Sequence, residues 1–169
     1  MMKKSLAAVL LAAGKGTRMK SERPKVVHEV CGLSLITHCV RTLKKIGIRK
    51  IIVVAGYGKD VVRRTLKDEG VIIVEQKKQR GTAHALGVCE NALRSFSGDV
   101  LVLPGDVFIE NMNNLKRFIS FHVRKDNTAS LLTSVIDDPA GYGRIIRGKN
   151  GSVQAIREEF QTPRPAVIM

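Results

Sequence analysis

The chain has 169 residues, 44% of them hydrophobic, enough for a domain with its own core. Its formal net charge is +14, from 29 Lys and Arg against 15 Asp and Glu, which suits a nucleic acid, an anionic membrane face or a phosphorylated small ligand. No apolar run approaches the roughly 20 residues that span a bilayer, and the few aromatics (4%, no Trp) are not interleaved with the basic clusters, which argues against a base-stacking nucleic-acid surface.

Lys3-Lys4 ahead of Leu6 to Ala13 has the outline of a signal peptide. The apolar run leads straight into the Gly14/Gly16 loop, so it reads as a first buried strand, Leu6 to Ala12, in a cytoplasmic protein. Ser34 to Ile46 carries Leu35, Ile36, Cys39, Val40, Leu43 and Ile46 at helical spacing, and Gly47 ends it. Lys50 to Ala55 predicts a second buried strand, and Lys59 to Lys67 a helix with Val61, Val62 and Leu66 inward. Val71 to Val74 predicts a third strand, Thr82 to Leu93 a helix, and Val100 to Leu103 a fourth strand. Asn111 to Val123 reads as a helix and Ala129 to Val135 as a strand. Tyr142 to Ile146 and Ser152 to Ile156 suggest a hairpin about the Lys149-Asn150-Gly151 turn. The tail Gln161 to Met169, with two prolines and little periodicity, is expected to be poorly ordered.

Strands and helices in alternation predict an α/β fold with a mostly parallel sheet covered on both faces. Ligands of such folds sit beyond the carboxyl ends of the strands. The Gly14 loop, the Gly81-Thr82 turn and Gly105-Asp106 all follow strands, so they should gather at that edge. Cys31, Cys39 and Cys89 form no C-x-x-C pair and read as buried, reduced thiols. His28, His38, His84 and His122 do not cluster in sequence and read as packing or hydrogen-bonding residues.

The first loop, Gly14-Lys15-Gly16-Thr17-Arg18 followed by Pro24-Lys25, brings permissive backbone and cations together. Arg18 offers a planar fork for phosphate oxygens and Lys25 a point charge. It lacks the G-x-x-x-x-G-K-[ST] of a Walker loop, and Met19 stands where the dinucleotide fingerprint needs its third glycine. Gln76 carries an amide with both donor and acceptor, able to read a base edge. Asp106, just past an apolar strand and a glycine, is placed to offer a hard oxygen to Mg²⁺.

Four segments in register carry a resemblance. They are Leu11-Ala12-Ala13-Gly14-Lys15-Gly16-Thr17-Arg18-Met19 with Pro24-Lys25-Val26-Val27-His28, Gln76 to Ala85, Leu103-Pro104-Gly105-Asp106, and Asp138-Pro139-Ala140-Gly141-Tyr142-Gly143-Arg144-Ile145. The first is similar to the signature of sugar-nucleotide pyrophosphorylases. Together they resemble the uridylyltransferase domain of the bacterial bifunctional N-acetylglucosamine-1-phosphate uridylyltransferase/acetyltransferase family, from about Leu6 to Glu158. The resemblance implies a GT-A-type, Rossmann-like three-layer fold. It implies conversion of UTP and N-acetylglucosamine 1-phosphate to UDP-N-acetylglucosamine and pyrophosphate, with Mg²⁺, for cell-wall synthesis. By the same resemblance Leu11, Ala12, Ala13, Gly14, Gln76, Gly81 and Thr82 hold the nucleoside, while Arg18 and Lys25 hold the reacting phosphates. Asp106 binds the metal, and Gly143 and Glu158 contact the acetamido sugar.

The chain departs from the family in two ways. Phe108 stands where proline is usual, and Glu159-Phe160-Gln161-Thr162-Pro163 replaces a charged continuation. Residues 1–158 are therefore read as an incomplete nucleotidyltransferase domain and 159–169 as a divergent tail. The nucleotide half of the site is expected nearly whole. The sugar half, a second metal ligand and the family's β-helix domain are expected to be missing, and no oligomeric state is carried over. Competing readings are the same fold with another base or acceptor, a catalytically impaired nucleotide-binding fragment, and a basic RNA-binding module supported only by charge.

Overall fold

The computed structural model describes residues 5–16 and 19–157. Arg18, Glu158 and the 159–169 tail lie outside the described residues. The chain divides into two compact units, residues 1–127 and 128–169.

The first unit is built on four parallel strands in the order β5-β4-β1-β6. These are β1 (Leu6–Ala12), β4 (Lys50–Ala55), β5 (Ile72–Glu75) and β6 (Asp99–Pro104). Between β1 and β4 lies a short hairpin of β2 (Glu29–Val30) and β3 (Leu33–Ser34). Central β1 pairs with β4 through Val9↔Ile52 and with β6 through Val9↔Val102. Its residues face helices on both sides, which is why Leu6 to Ala12 is a continuous apolar run rather than an alternating one.

One face packs Ala8, Leu10 and Ala12 of β1 and Ile51 and Val53 of β4 against three helices. These are α1 (Leu35–Lys45), α2 (Lys59–Thr65) and α5 (Met112–Lys125). The other face packs Val9, Ile52 and Val54 against α3 (Thr82–Gly87) and α4 (Glu90–Leu93). The result is the expected three-layer α/β arrangement.

Helix α1 shows how the sequence sets its own boundaries. Ser34 caps its start, the hydroxyl accepting from the Thr37 N–H at 3.2 Å. At the other end Gly47 N–H bonds Lys44 and Ile48 N–H bonds Leu43, a two-bond closure that satisfies the last carbonyls. Ile36, Val40 and Leu43 are fully buried between these ends, each worth about 1.5–3 kcal/mol of apolar burial.

Glu69 ties α1 to the end of α2. It accepts from Arg41 Nε at 2.7 Å and Lys44 Nζ at 3.0 Å, with only 11% of its side chain exposed. Burial alone would raise its pKa, but the hydrogen bonds and charges of Arg41 and Lys44 outweigh it and hold the carboxyl below its usual range. A depressed carboxylate stabilises the fold above its unfolded pKa and loses that contribution as pH falls through the folded value. Glu69→Gln is therefore expected to cost about 1 kcal/mol at neutral pH, since both cations are half exposed. The difference from the unaltered protein should narrow as pH falls below the usual glutamate range and vanish only below the depressed folded value, in chemical unfolding.

Three expectations are corrected. The Thr82 to Leu93 helix is broken in two, because after Gly87 the chain tightens and Cys89 N–H bonds Leu86 rather than the carbonyl four residues back. Cys31 is exposed, not buried, because with Gly32 it forms the two-residue turn of the β2–β3 hairpin, at φ +51° and +76°. Residues 129–135 form no strand. No described strand pairs with them, and Leu132 and Val135 are 71% and 84% exposed.

Taken by itself, the second unit contains the expected hairpin, β7 (Arg144–Arg147) antiparallel to β8 (Val153–Arg157). Its turn closes through Gly148 N–H to Ser152 and Gly151 N–H to Gly148, both 2.9 Å.

Candidate active site

The strand order reverses direction between β1 and β6, because the chain runs outward from β1 through β4 to β5 and then returns to the other side. At such a point the loops leaving neighbouring strands part and open a crevice at the carboxyl edge. A cavity of about 460 Å³ lies there, lined by Leu11, Ala12, Gly14, Gly16, Met19, Lys25, Val26 and Asp106. That volume suits a small-molecule ligand.

Local packing fixes each wall. Gly16 has φ +66°, and a Cβ there would stand 2.7 Å from the Lys25 Cβ, so only glycine lets the loop pass Lys25. Val26 and Val27 are buried beside it in a single helical turn, which anchors the chain and leaves the Lys25 side chain 43% exposed. After β6, Gly105 N–H bonds the Leu11 carbonyl at 2.8 Å. A Cβ on Gly105 would stand 2.8 Å from Ile36 and 3.1 Å from that carbonyl, so glycine seats the Asp106 turn flush against β1.

Lys25 and Asp106 meet across the cavity in an ion pair, Nζ to Oδ2 at 2.7 Å. Beneath the turn, Cys39 of α1 donates its thiol to the Val107 carbonyl at 2.8 Å. Burial, and then the negative charge of Asp106, push that thiol up to about 11, and burial raises Cys89 as well. Neither thiol forms the reactive thiolate at neutral pH. A disulfide-exchange reagent should therefore label Cys31 alone in the native protein, and all three cysteines only after unfolding.

A second cluster follows β5. Gln76 is 4% exposed, and its backbone N–H bonds Ala55 at 2.8 Å. Its side-chain Nε2 donates to the Gly81 carbonyl at 3.2 Å and lies 2.9 Å from His84 Nδ1. A carbonyl only accepts, so this contact fixes which end of the amide is nitrogen. His84 Nδ1 then accepts, which places the imidazole proton on Nε2. The donor half of the Gln76 amide is thus committed to shaping the Gly81 turn, and Oε1 is the half left to face a ligand. Gly81 precedes α3, and Thr82 begins it.

The two clusters are joined. Gln79 Nε2 donates to the Ala13 carbonyl at 2.7 Å, and Tyr57 N–H reaches the same oxygen at 3.1 Å. Tyr57 OH also donates to the Glu22 carbonyl at 2.9 Å, while Lys15 Nζ stands 5.3 Å from the centre of its ring.

Of the residues singled out in the sequence, Leu11, Ala12, Gly14, Lys25 and Asp106 surround one cavity, and Ala13, Gln76, Gly81 and Thr82 lie in the linked clusters. Gly143 belongs to the second unit, immediately before β7, and Arg18 and Glu158 lie outside the described residues. Tyr57, Gln79 and Cys39 were not singled out for the site. Gln79 stands within the Gln76 to Ala85 segment, three residues past Gln76, and that spacing was the available signal.

Among the described residues no three His, Cys, Asp or Glu side chains gather as a metal cage, and no helix is long and apolar enough to cross a membrane. A lone carboxylate on an open cavity fits Mg²⁺, which keeps several waters and takes phosphate oxygens as its other ligands.

A model of the family described as Nucleotidyl transferase matches residues 7–167. The chain is 47% identical over 154 residues to the bifunctional protein GlmU of Pelotomaculum thermopropionicum, covering 91% of this chain and 34% of that protein. It is 45% identical over 154 residues to GlmU of Thermoanaerobacter pseudethanolicus, covering 91% and 33%. The chain thus spans about a third of the length of the curated relatives it matches. Among solved structures, a UDP-glucose pyrophosphorylase from Acinetobacter baumanii superposes with a TM-score of 0.73 at 24% identity, covering 92% of this chain and 68% of that one. A putative glucose-1-phosphate thymidylyltransferase from Bacillus anthracis gives 0.71 at 24% identity, covering 95% and 67%. At that identity the structures speak to the fold alone.

Proposed function

The chain belongs to the nucleotidyl transferase family, and from that premise we propose that it binds UTP at the β1–β6 crevice and transfers the uridylyl group to N-acetylglucosamine 1-phosphate. The observation that carries this reading is the convergence of the Gly14 loop, Lys25 and Asp106 on one cavity, hydrogen-bonded through Ala13 to the Gln76–Thr82 segment. The choice of uracil and of the acetamido sugar rests on the similarity to the GlmU proteins.

In this reading a phosphate oxygen of the sugar phosphate attacks the α-phosphorus of UTP in line. The bond from that phosphorus to the bridging oxygen breaks, and pyrophosphate leaves with the electron pair. The attacking phosphate is already ionised, so no general base is needed, and His28 and His84 have no proton to move. Rate then depends on position and on neutralising charge. Lys25 supplies its ammonium to the reacting phosphates. Arg18 supplies a guanidinium to the departing pyrophosphate. Gln76 Oε1 accepts from the uracil imide N–H, and Gly81 and Thr82 complete the base pocket. By the resemblance, Gly143 and Glu158 would contact the acetamido sugar. Asp106 would hold Mg²⁺, which when bound screens the phosphates and polarises them toward attack. UDP-N-acetylglucosamine made this way would serve cell-wall synthesis in the cytoplasm.

The test is pyrophosphate release from UTP and Mg²⁺. Release that requires N-acetylglucosamine 1-phosphate, and fails with glucose 1-phosphate or with CTP, is the expected result. A folded protein that releases none, or prefers another pair, sinks the assignment.

A further inference from the structure

The Ala13 carbonyl receives two hydrogen bonds from different loops, the Gln79 side chain at 2.7 Å and the Tyr57 N–H at 3.1 Å. Both come from the β4 and β5 side of the sheet, away from β6. In a planar trans peptide the carbonyl and the following N–H point in opposite directions. The peptide that turns the Ala13 oxygen toward Gln79 and Tyr57 therefore turns the Gly14 N–H the other way, on the side of the cavity that Gly14 lines. Among the described residues that N–H has no hydrogen-bond acceptor. A backbone donor free of internal partners, at the wall of a cavity that also holds the Lys25 ammonium, is suited to an anionic oxygen.

Of the two bonds on Ala13, only the one from Gln79 comes from a side chain, and Gln79 itself is exposed rather than packed. It stands between Gln76, whose amide shapes the Gly81 turn, and that turn itself. One short hydrogen bond thus joins the segment that would face the base to the Ala13–Gly14 peptide, at the edge of the cavity where Lys25 would meet the phosphates.

We propose that Gln79 is a positioning residue: by holding the Ala13 carbonyl it sets the Ala13–Gly14 peptide plane and so couples the base subsite to the phosphate subsite. The inference rests on the nucleotide reading above. Gln79 touches no reacting atom. Its effect is that a nucleoside triphosphate binds more tightly than its two halves would separately, because ordering one loop orders the other.

The test compares UTP, uridine and inorganic triphosphate binding to the unaltered protein, Gln79→Met and Gln79→Glu by titration calorimetry. Methionine keeps the length and removes the donor. Glutamate keeps the shape and sets a carboxylate against the carbonyl. Both variants are expected to weaken UTP about tenfold, the worth of one oriented charge-assisted contact. Uridine alone and triphosphate alone should change by less than about threefold, because each needs only one loop. A general loosening of the structure would instead weaken all three ligands together and overturn the proposal. Equal UTP affinity in the unaltered protein and both variants would overturn it and leave the nucleotide reading standing. Failure of the unaltered protein to bind UTP would overturn both.

Discussion

Asp106→Asn is expected to remove nearly all uridylyl transfer while leaving the fold in place. The turn that carries Asp106 is held by three contacts that do not involve its carboxylate. These are Gly105 N–H to Leu11, Val107 N–H to Pro104, and the Cys39 thiol to the Val107 carbonyl. Asparagine is isosteric and disturbs none of them. What it removes is a charge: the hard oxygen proposed for the metal and the partner of Lys25. The ion pair is 43% and 29% exposed, so its loss should cost the fold no more than about 1 kcal/mol. Losing preorganised charge at a phosphoryl centre should cost kcat about 10²–10³-fold or more. The check is kcat at saturating UTP and Mg²⁺ beside thermal unfolding of the same two samples. A variant that turns over within about tenfold of the unaltered protein would take Asp106 out of the metal role.

Lys25→Met separates two roles of one ammonium. Without ligand, Lys25 neutralises Asp106 at 2.7 Å, so a cation entering the cavity must displace it. With UTP present, the same ammonium has triphosphate oxygens to bind. Methionine keeps a side chain of similar reach beside the Gly16 backbone but carries no charge. Mn²⁺ alone should therefore bind the variant several-fold more tightly, because Asp106 is left uncompensated. UTP should bind about tenfold more weakly, and kcat should fall about 10²-fold as phosphate charge goes unscreened. Opposite signs for metal and nucleotide are the diagnostic result, since a damaged pocket would weaken both. Mn²⁺ binding weakened along with UTP would show that the pair does not act as a counter-ion exchange.

Much of this was legible in the chain, and the reasons can be assigned residue by residue. Lys50 to Ala55 matched its strand end for end, because a strand buried on both faces writes itself as an unbroken apolar run. Helix α1 was readable from its apolar spacing and from Gly47. The carboxyl-edge rule then placed Gly14 and Asp106 together, although they are 92 positions apart in the chain. Local pattern could not reveal what depends on a partner elsewhere. Residues 129–135 have the composition of a strand but no described strand to pair with. The break at Cys89 reflects a tight turn that leaves this thiol buried against β1 and β4, which the propensity of Thr82 to Leu93 does not encode. The Lys25–Asp106 pair and the Gln79–Ala13 bond are geometric facts about loops 81 and 66 residues apart, and no window of sequence contains both ends.

Within the first unit, the described helices cover the two faces of the sheet unequally. Helices of 11, 7 and 14 residues lie on one side, against 6 and 4 on the other. Helices as short as α3 and α4 have almost no cooperativity of their own and persist only through the Ala85, Cys89 and Leu93 contacts. Backbone amides of residues 82–93 are accordingly expected to exchange with deuterated solvent through partial openings, at free energies well below those that expose β1 and β4. Through the Gln76–His84 contact this is the same wall that would face the base. UTP should slow exchange there in proportion to its occupancy, while the central strands change little. The nucleoside would then finish the folding of the surface that selects it, so discrimination among bases would be decided partly by which base closes that wall.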